Sequence, residues 1–382
     1  MPNIFVLVGE RSADIHTAEV LKRFAETEPH IQFWGIGGPK MQELGFETLY
    51  PFERFAVMGF AEVLQHGGFF YKVMSRIKQE LILRKPNLVL LVDYPGLNLR
   101  IAKIAKQYGF SVLYYISPQI WAWKKNRIHK IIKYTDKIAT ILPFEKKIYE
   151  SMGGEAEFVG HPIVEEIDVK LSKQSFAEKY NLDPQKRWLG FIPGSRDIEI
   201  HRILPVMTET VQQLQGGQYE FLFSYVDTVS HSLYNSIISP VGDSVAIVED
   251  TYELMQYSDL VVCKSGTSSL ETAYIGTPLI AVYKTSWISY LIARWLVRVD
   301  MIALPNIIVG EKIVPELIQH HASTKKIVSE IQKILDNPRL YIKMQNNLQK
   351  IKKGLGEKKA SYRVTEIIHS FLNETEDKEE TG

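Results

Sequence analysis

The sequence feature that most constrains the fold is the segment 261–283, which reads VVCKSGTSSLETAYIGTPLIAVY. The apolar run 260–263 has the length and composition of a buried strand. The turn 264–267, which reads KSGT and is rich in small residues, ends it. A helix then begins with a Ser or Thr cap and ends at Gly276, and 279–283 is the next strand. A strand, turn, helix and strand in this order indicate a doubly wound α/β fold.

The turn at Ser265, Gly266 and Thr267 is a candidate anion site. It brings free backbone N–H groups and the positive end of a helix to the carboxyl edge of a parallel sheet, where phosphates bind. Glu271 follows at a spacing that lets its carboxylate accept both hydroxyls of a ribose. The alternative is an ordinary capped crossover, with Glu271 in a solvated first helical turn.

Length and composition limit the class of protein. A chain of 382 residues exceeds one typical core and predicts two domains. The net charge of +1 gives no nucleic-acid signature, so we expect no nucleic-acid partner. The single cysteine, Cys263, fits a reducing compartment. The apolar run 4–8 is a first strand and not a signal peptide, and no apolar run approaches the ~20 residues of a membrane span.

The loop after the first strand carries two candidate site residues. It reads GERSAD, so it lacks the G-x-G-x-x-G pattern of a dinucleotide site, and we expect no NAD cofactor. Glu10 lies at the carboxyl end of the strand, and Ser12 follows it. Asp14 is a natural N-cap for a helix over 15–25. Glu10 is either functional or a solvated loop residue.

Asp93 follows the continuous apolar run 88–92, which is typical of a central parallel strand. A carboxylate at the mouth of such a strand, held by a Pro-Gly turn, is a candidate general base. The alternative is that Asp93 only caps the helix that starts near Asn98.

Two apolar segments with basic flanks suggest contact with lipid. Residues 55–71 are rich in Met and aromatic side chains, and 287–299 combine an apolar face with Arg294 and Arg298. Either segment could form an ordinary core helix, or could contact a membrane or a lipid substrate. A loop with Trp121 and Trp123 suits a sugar or acyl-chain platform.

The second half repeats the alternation of strands and helices. The strand 188–192 leads into the PGSR turn, in which Gly194 lets the backbone approach a ligand and Arg196 offers a planar fork for a diphosphate. Arg196 could equally be a surface charge. The chain is therefore predicted to form two doubly wound Rossmann-like domains that face each other across a ligand cleft, with a hinge near His161.

We assign three parts to the chain. Residues 1–165 form the first domain, with a membrane- or acyl-contacting segment near 55–75, and residues 166–352 form the second domain. Residues 353–382 form a C-terminal helix followed by an acidic tail, which we expect to be disordered from about 374.

Several motifs together resemble one family. They are LVGERSADIHTA, AVMGFAEVL, DYPGLN, YYISPQIWAW, FVGHP, PGSR followed by EI, SGTSSLE, and LPNIIVG with VPELIQ. In order and spacing they are similar to the lipid-A-disaccharide synthases, from the first strand to about Gln319. The resemblance implies a B-type glycosyltransferase (GT-B) fold, with UDP held mainly by the second domain.

The resemblance also implies a reaction. It is transfer of 2,3-diacylglucosamine from UDP-2,3-diacylglucosamine to 2,3-diacylglucosamine 1-phosphate (lipid X), with inversion and without a metal or another cofactor. Asp93 would be the base, with Glu10 as rival or helper. The expected binding residues are Ser12 in the first loop, Arg196, Ser265, Gly266 and Thr267 at the diphosphate, Glu271 at the ribose, and Asn306 and Gln319 in the donor site.

The implied setting is the inner face of the inner membrane of a Gram-negative bacterium. The protein would be cytoplasmic and peripheral on an anionic membrane surface, with a homodimer as its candidate oligomeric state. The sequence departs from the family pattern at Ala13 and Thr17, where Gly is usual, and at Gly96, where an acidic residue is common. Two alternatives stay open: another GT-B transferase or epimerase that uses UDP-N-acetylglucosamine, and a non-catalytic relative that binds nucleotide sugars.

Overall fold

The protein divides into two compact units, each built on a parallel sheet. The computed structural model describes residues 2–50, 67–118, 126–287, 301–356 and 359–380. The first unit comprises Met1–Val164 and Glu357–Gly382, and the second comprises Glu165–Gly356. Both units have the predicted doubly wound α/β architecture.

The described residues of the first unit form seven strands and their connecting helices. Its strands are β1 (Asn3–Val8), β2 (Gln32–Ile36), β3 (Glu47–Thr48), β4 (Leu88–Val92), β5 (Val112–Tyr115), β6 (Lys137–Thr140) and β7 (Ala156–Phe158). Its described helices are α1 (Arg11–Thr27), α2 (Pro39–Gln42), α3 (Gly67–Arg84), α4 (Pro95–Gln107), α5 (Asn126–Tyr134), α6 (Pro143–Glu150) and the C-terminal α16 (Ala360–Glu380). The short helix α7 (Ile163–Glu166) leads into the second unit.

The first sheet has the strand order β3-β2-β1-β4-β5-β6-β7, and all its strands are parallel. Side chains of β1 alternate between two cores: Ile4 and Val6 pack on one face, and Phe5 and Leu7 pack on the other. A sheet covered on both faces needs continuous apolar strands, as the sequence has. The order in which strands are added to the sheet reverses between β1 and β4, so ligands are expected at the carboxyl ends of these two strands.

The C-terminal helix α16 packs in the first unit instead of forming a separate segment. Val364 and Ile368 belong to the same core cluster as β1 and α1. Arg23 Nε donates a 2.7 Å hydrogen bond to Ser361 Oγ, and His369 lies 3.0 Å from a Glu28 carboxylate oxygen. The helix continues to Glu380, through most of the acidic stretch that was expected to be disordered. Its apolar face, buried against α1, supplies the packing that local composition does not reveal.

Six strands lie in the part of the second unit that the structure describes. They are β8 (Arg187–Ile192), β9 (Tyr219–Ser224), β10 (Val245–Val248), β11 (Leu260–Lys264), β12 (Leu279–Tyr283) and β13 (Glu316–Ile318). Its described helices are α8 (Lys173–Lys179), α9 (Asp197–Leu214), α10 (His231–Ile238), α11 (Thr251–Tyr257), α12 (Thr267–Ile275), α13 (Leu304–Val309), α14 (Thr324–Leu335) and α15 (Pro338–Leu355), with 3₁₀ helices at Ser239–Ser244 and Gln319–His321.

The second sheet repeats the topology of the first. Its strand order is β10-β9-β8-β11-β12-β13, and the described ladders are parallel. The order in which strands are added reverses between β8 and β11, which are parallel neighbours, so the PGSR turn after β8 and the SGT turn after β11 lie at neighbouring strand ends. Both motifs therefore occupy the position where this fold binds ligands.

The prediction that Asp14 caps the helix that follows it in sequence is wrong. Asp14 lies inside α1, which begins earlier, at Arg11. Its carboxylate instead accepts backbone N–H bonds from Gly38 at 2.8 Å, Lys40 at 3.0 Å and Met41 at 3.3 Å. Asp14 thus caps the first turn of α2, a tertiary contact across 24 residues or more that local spacing cannot predict.

Some predicted features lie outside the described residues. They include most of the apolar segment 55–71, the loop with Trp121 and Trp123, and nearly all of 287–299. Within the described part of the chain, no helix is both long and apolar enough to cross a membrane.

Candidate functional site

The first unit places Asp93 at the carboxyl end of β4, beside the end of β1. Val8 pairs with Val92 in the ladder, so the loop after β1 adjoins Asp93. The backbone carbonyl of Asp93 accepts hydrogen bonds from Tyr114 Oη and Asn98 Nδ2, each at 2.6 Å. Helix α4 starts at Pro95 with Tyr94 as its N-cap, so Asp93 is not the cap of that helix.

The backbone at this edge adopts the left-handed conformation, with positive φ, which residues other than glycine rarely take. Asp93 has φ of 47°, Tyr94 has φ of 39°, and Ile116 after the neighbouring strand has φ of 56°. Each residue in this conformation lowers the stability of the fold by about 1–3 kcal/mol, and backbone strain of this kind is concentrated at functional sites. The hydrogen bonds to the Asp93 carbonyl offset part of that cost.

The carboxyl group of Asp93 is poised to exchange a proton near neutral pH. Burial of this carboxyl raises its pKa to about 7, and the negative charge of Glu10 adds to the effect. A hydrogen bond from the Tyr94 backbone and the charge of His16 act in the opposite direction. A general base works best when its pKa lies near the working pH, so Asp93 has the property that this role requires.

Glu10 and Ser12 lie at the start of α1, and the charge of Glu10 acts on the Asp93 carboxyl. Glu10 is the N-cap residue of α1, with an exposed side chain, and Ser12 is exposed in the first turn. Glu10 raises the pKa of both Asp93 and Tyr94 by its charge, although burial has the larger effect on each group. Glu10 and Asp93, predicted separately from sequence, therefore share one electrostatic neighbourhood. Ala13 has ordinary right-handed helical backbone, so its methyl group is accommodated.

A buried histidine that the sequence analysis treated only as a hinge marker belongs to the same neighbourhood. Burial lowers the pKa of His161 to about 3, and the charge of His16 lowers it further. His161 Nδ1 accepts a 3.3 Å hydrogen bond from the Ile163 backbone N–H. His161 is therefore neutral at physiological pH, and His16 acts on both His161 and Asp93.

In the second unit the PGSR turn is held by a carboxylate of the helix that follows it. Glu199 Oε2 accepts a 3.1 Å hydrogen bond from the Ser195 backbone N–H. Gly194 has φ of 128°, and a Cβ there would lie 2.4 Å from Glu199 Oε2, so only glycine fits. Arg196 is exposed at the N-cap of α9, where its guanidinium is available to a ligand.

The SGT turn forms the other half of this edge. Helix α12 begins after Gly266, and the backbone N–H of Gly266 donates to Ser269 Oγ at 3.3 Å. The cap is thus Gly266 and not the predicted Ser or Thr. The hydroxyl of Ser265 is buried and donates to the Ile302 carbonyl at 3.2 Å, whereas Thr267 is exposed in the first turn. The turn therefore offers a helix N-terminus and the Thr267 side chain to an anion.

Glu271 lies in the second turn of α12 and lines a cavity of about 430 Å³. Burial raises the pKa of its carboxyl to about 7, and the charge of Glu166 adds to the rise. Tyr252 Oη donates a 3.4 Å hydrogen bond to Glu271 Oε1. Gly194 and Ser195 of the PGSR turn line the same cavity, so predicted phosphate and ribose residues share one opening.

Asn306 and Gln319 are buried, and their side-chain amides are engaged with the backbone of their own unit. Asn306 Oδ1 accepts from the backbone N–H groups of Ile313 at 2.8 Å and Val314 at 2.9 Å. Gln319 Oε1 accepts from the Thr285 backbone N–H at 2.7 Å, and Gln319 Nε2 donates to the Thr285 carbonyl at 3.1 Å. Both amides therefore fix loops in this structure.

Glu316 completes this polar network. Its carboxylate accepts from the Ile302 backbone N–H at 3.1 Å, from the Ala303 N–H at 2.9 Å and from Asn306 Nδ2 at 2.8 Å. Because Ser265 donates to the carbonyl of Ile302, the network reaches the SGT turn. The sequence analysis assigned Glu316 no role in the site.

Comparison with solved structures defines the class of protein. A putative UDP-N-acetylglucosamine 2-epimerase from Listeria monocytogenes superposes with a TM-score of 0.66 at 13% identity, covering 97% of each chain. The calicheamicin glycosyltransferase superposes with a TM-score of 0.64 at 10% identity, covering 98% of each chain. At these identities the likeness establishes the fold alone. The chain has the GT-B fold, which glycosyltransferases and nucleotide-sugar epimerases share.

Sequence comparison narrows the class to one family. The family model for lipid-A-disaccharide synthetase matches residues 4–369. Lipid-A-disaccharide synthase from Geobacter sulfurreducens is 37% identical over 374 residues, covering 97% of each chain. That from Nitrosococcus oceani is 38% identical over 360 residues, covering 93% of this chain and 92% of its own. The chain belongs to the lipid-A-disaccharide synthase family, a family of glycosyltransferases, which confirms the resemblance drawn from its motifs.

Proposed function

We propose that this enzyme transfers 2,3-diacylglucosamine from UDP-2,3-diacylglucosamine to lipid X, forming a β-1,6-linked disaccharide 1-phosphate and UDP. The observation that carries the proposal is the Asp93 carboxyl, whose pKa of about 7 and position at the strand switch suit a general base. Family membership supports lipid A disaccharide formation as the overall reaction.

Asp93 takes the proton from the 6-hydroxyl of the acceptor. The freed oxygen attacks the anomeric carbon of the donor as the bond from that carbon to the diphosphate oxygen breaks. The bond electrons leave with UDP, and the proton remains on Asp93 until solvent removes it. Because the nucleophile enters opposite the leaving group, one displacement inverts the anomeric centre. Glu10 assists by keeping the pKa of Asp93 high, or replaces it as the base.

The second unit stabilises the leaving group. Arg196 donates to the diphosphate with its guanidinium, and the helix N-terminus at Ser265, Gly266 and Thr267 adds backbone N–H groups and a favourable dipole. These groups can compensate the developing charge without a metal ion. Glu271 accepts hydrogen bonds from the ribose hydroxyls. Its position supports this role, because it lines the same cavity as the PGSR turn.

The remaining predicted binding residues act near these two centres. Ser12 is proposed to contact the acceptor from the exposed first turn of α1. Asn306 and Gln319 are proposed to shape the donor site by fixing its loops, since their amides bind backbone groups.

The lipid nature of both substrates accounts for the apolar composition of 55–71 and 287–299. We propose that the protein acts at the cytoplasmic, anionic face of the inner membrane of a Gram-negative bacterium, with a homodimer as its candidate oligomeric state. Retention on anionic vesicles at low salt, with release at high salt, is the expected behaviour. A protein that stayed wholly in the supernatant would contradict the membrane proposal.

Product analysis tests the function directly. The enzyme is incubated with lipid X and either UDP-2,3-diacylglucosamine or UDP-N-acetylglucosamine, and the products are identified by mass spectrometry and NMR. We expect a β-1,6 disaccharide 1-phosphate and UDP from the acylated donor only. Equal turnover of both donors would favour a transferase for unacylated sugars, and conversion of UDP-N-acetylglucosamine without an acceptor would favour an epimerase.

A further inference from the structure

We propose that Lys264 is a second cation for the donor diphosphate, held in position by Glu199. The inference rests on the proposed nucleotide-sugar site and extends it, because the diphosphate role was otherwise given to Arg196 and the SGT turn. Lys264 is the last residue of β11, immediately before that turn, and nothing in its sequence context distinguished it from a surface lysine.

The geometry places the ammonium between the two turns of the site. Lys264 Nζ lies 2.9 Å from Glu199 Oε1. The other oxygen of Glu199 accepts the Ser195 backbone N–H at 3.1 Å, so one carboxylate holds both the lysine and the PGSR turn. On the other side, Lys264 Nζ would lie 3.1 Å from a Cβ placed on Gly266. The ammonium thus lies close to Gly266 of the SGT turn.

The Lys264–Glu199 pair is only partly exposed to solvent. The Lys264 side chain is 26% exposed and that of Glu199 is 15% exposed. An ammonium has three N–H donors, and the bond to Glu199 uses one of them. Lys264 can therefore keep its contact with Glu199 and still donate to a phosphate oxygen. A lysine held as a point charge beside a helix N-terminus is a common partner of phosphate groups.

This arrangement has a consequence for selectivity. A cation at the diphosphate affects ligands in proportion to the phosphate charge they carry, and it leaves the nucleoside part of the site unchanged. An ion pair that served only to hold the two turns together would affect all nucleotide ligands alike. The two roles are therefore separable by comparing UDP with uridine.

The test measures the Kd of UDP, UMP and uridine by isothermal titration calorimetry for the full-length wild type and four variants. Lys264→Met removes the charge and keeps the length, Lys264→Arg keeps the charge, and Glu199→Gln keeps an acceptor for Ser195 while releasing the lysine. Lys333→Met is the matched control, because Lys333 forms an exposed pair with Glu330 on α14 of the same unit. Thermal melting verifies that each variant is folded.

We expect Lys264→Met to weaken UDP binding about 10–100-fold, as loss of a charge-assisted hydrogen bond does, with uridine changed less than about twofold. Lys264→Arg should recover most of the affinity. Glu199→Gln should weaken UDP binding less than Lys264→Met does, because the lysine keeps its charge but loses the contact that positions it. Lys333→Met should match the wild type.

Three results would overturn the inference: unchanged UDP binding in Lys264→Met, an equal loss for uridine and UDP, or a loss in Glu199→Gln equal to that in Lys264→Met. Failure of the wild type to bind UDP would instead reject the proposed function, and the inference with it.

Discussion

The phenol of Tyr114 donates a 2.6 Å hydrogen bond to the backbone carbonyl of Asp93, the proposed base. Tyr114 belongs to β5 and is fully buried, so its hydroxyl has a fixed position. Asn98, from α4, donates to the same carbonyl. Two neighbouring elements thus hold Asp93 in left-handed backbone geometry, which an unsupported chain would leave.

Tyr114→Phe should lower activity without a direct contact to substrate. The variant loses one of the two donors to the Asp93 carbonyl, and we expect about 1–2 kcal/mol less stability and a several-fold lower kcat with little change in KM. Denaturant unfolding and steady-state kinetics measure the two effects. Tyr108→Phe, at an exposed position, is the control. A kcat equal to that of the wild type would show that the carbonyl needs only Asn98.

Asp93→Asn should be more stable than the wild type above neutral pH. The carboxyl has a folded-state pKa of about 7, above its ordinary value of 3.8, so the folded wild type loses stability as pH rises from about 4 to 7. Asp93→Asn has no carboxyl group at this position, so it does not lose stability over this pH range. We expect the two proteins to be similar near pH 4 and the variant to be roughly 1–4 kcal/mol more stable at pH 8. Urea unfolding of both proteins across this pH range measures the difference in their free energies of unfolding. A difference that does not change with pH would contradict the prediction.

Uridine binding should strengthen as pH rises through about 7. Burial and Glu166 raise the pKa of Glu271 to about 7, so this carboxyl is protonated below that pH and accepts hydroxyl donors less well. We expect about 3–10-fold tighter binding at pH 8 than at pH 6. Uridine is the suitable probe because, unlike UDP, it has no phosphate that titrates in this interval. In Glu271→Gln the affinity should be lower and nearly flat with pH, and an unchanged pH dependence would assign it to another group.

Asn306→Ala should unfold the second unit more easily. Two buried backbone N–H groups, of Ile313 and Val314, lose their acceptor, and we expect a loss of about 2–4 kcal/mol. Asn306→Asp restores that acceptor but places a carboxylate beside Glu316, so it should not rescue stability above pH 6. Glu311→Ala, which removes an exposed pair with Lys350, is the control. Stability equal to that of the wild type in Asn306→Ala would refute the loop-fixing role.

Local sequence predicts the elements of this protein well, for a physical reason. The strands are continuous apolar runs because both faces of each parallel sheet are covered, and Gly and Pro mark the turns after them. Glu10 and Asp93 could be placed together in the first unit, and Arg196 and the SGT turn in the second, because each follows a strand at the carboxyl edge of its sheet.

Tertiary partners could not be predicted in the same way. Asp14 caps α2, and Glu199 pairs with Lys264, across distances in sequence that no helical or strand periodicity connects. The left-handed backbone at Asp93 was also missed, because positive φ is uncommon even for Asp and the following Tyr94 does not favour it. The place of α16 on α1 depends on an apolar face whose partner lies more than 300 residues earlier.

The most direct test of the account is turnover of UDP-2,3-diacylglucosamine and lipid X by the wild type, Asp93→Ala and Glu10→Ala, with a chelator present and the Kd of UDP measured for each. We expect the wild type to make disaccharide and UDP at the same rate with and without chelator. Asp93→Ala should lose roughly 100-fold or more in kcat while it binds UDP normally, and Glu10→Ala should lose less. Asp93→Ala turning over at the wild-type rate would contradict the account, and a larger loss in Glu10→Ala would transfer the role of base to Glu10.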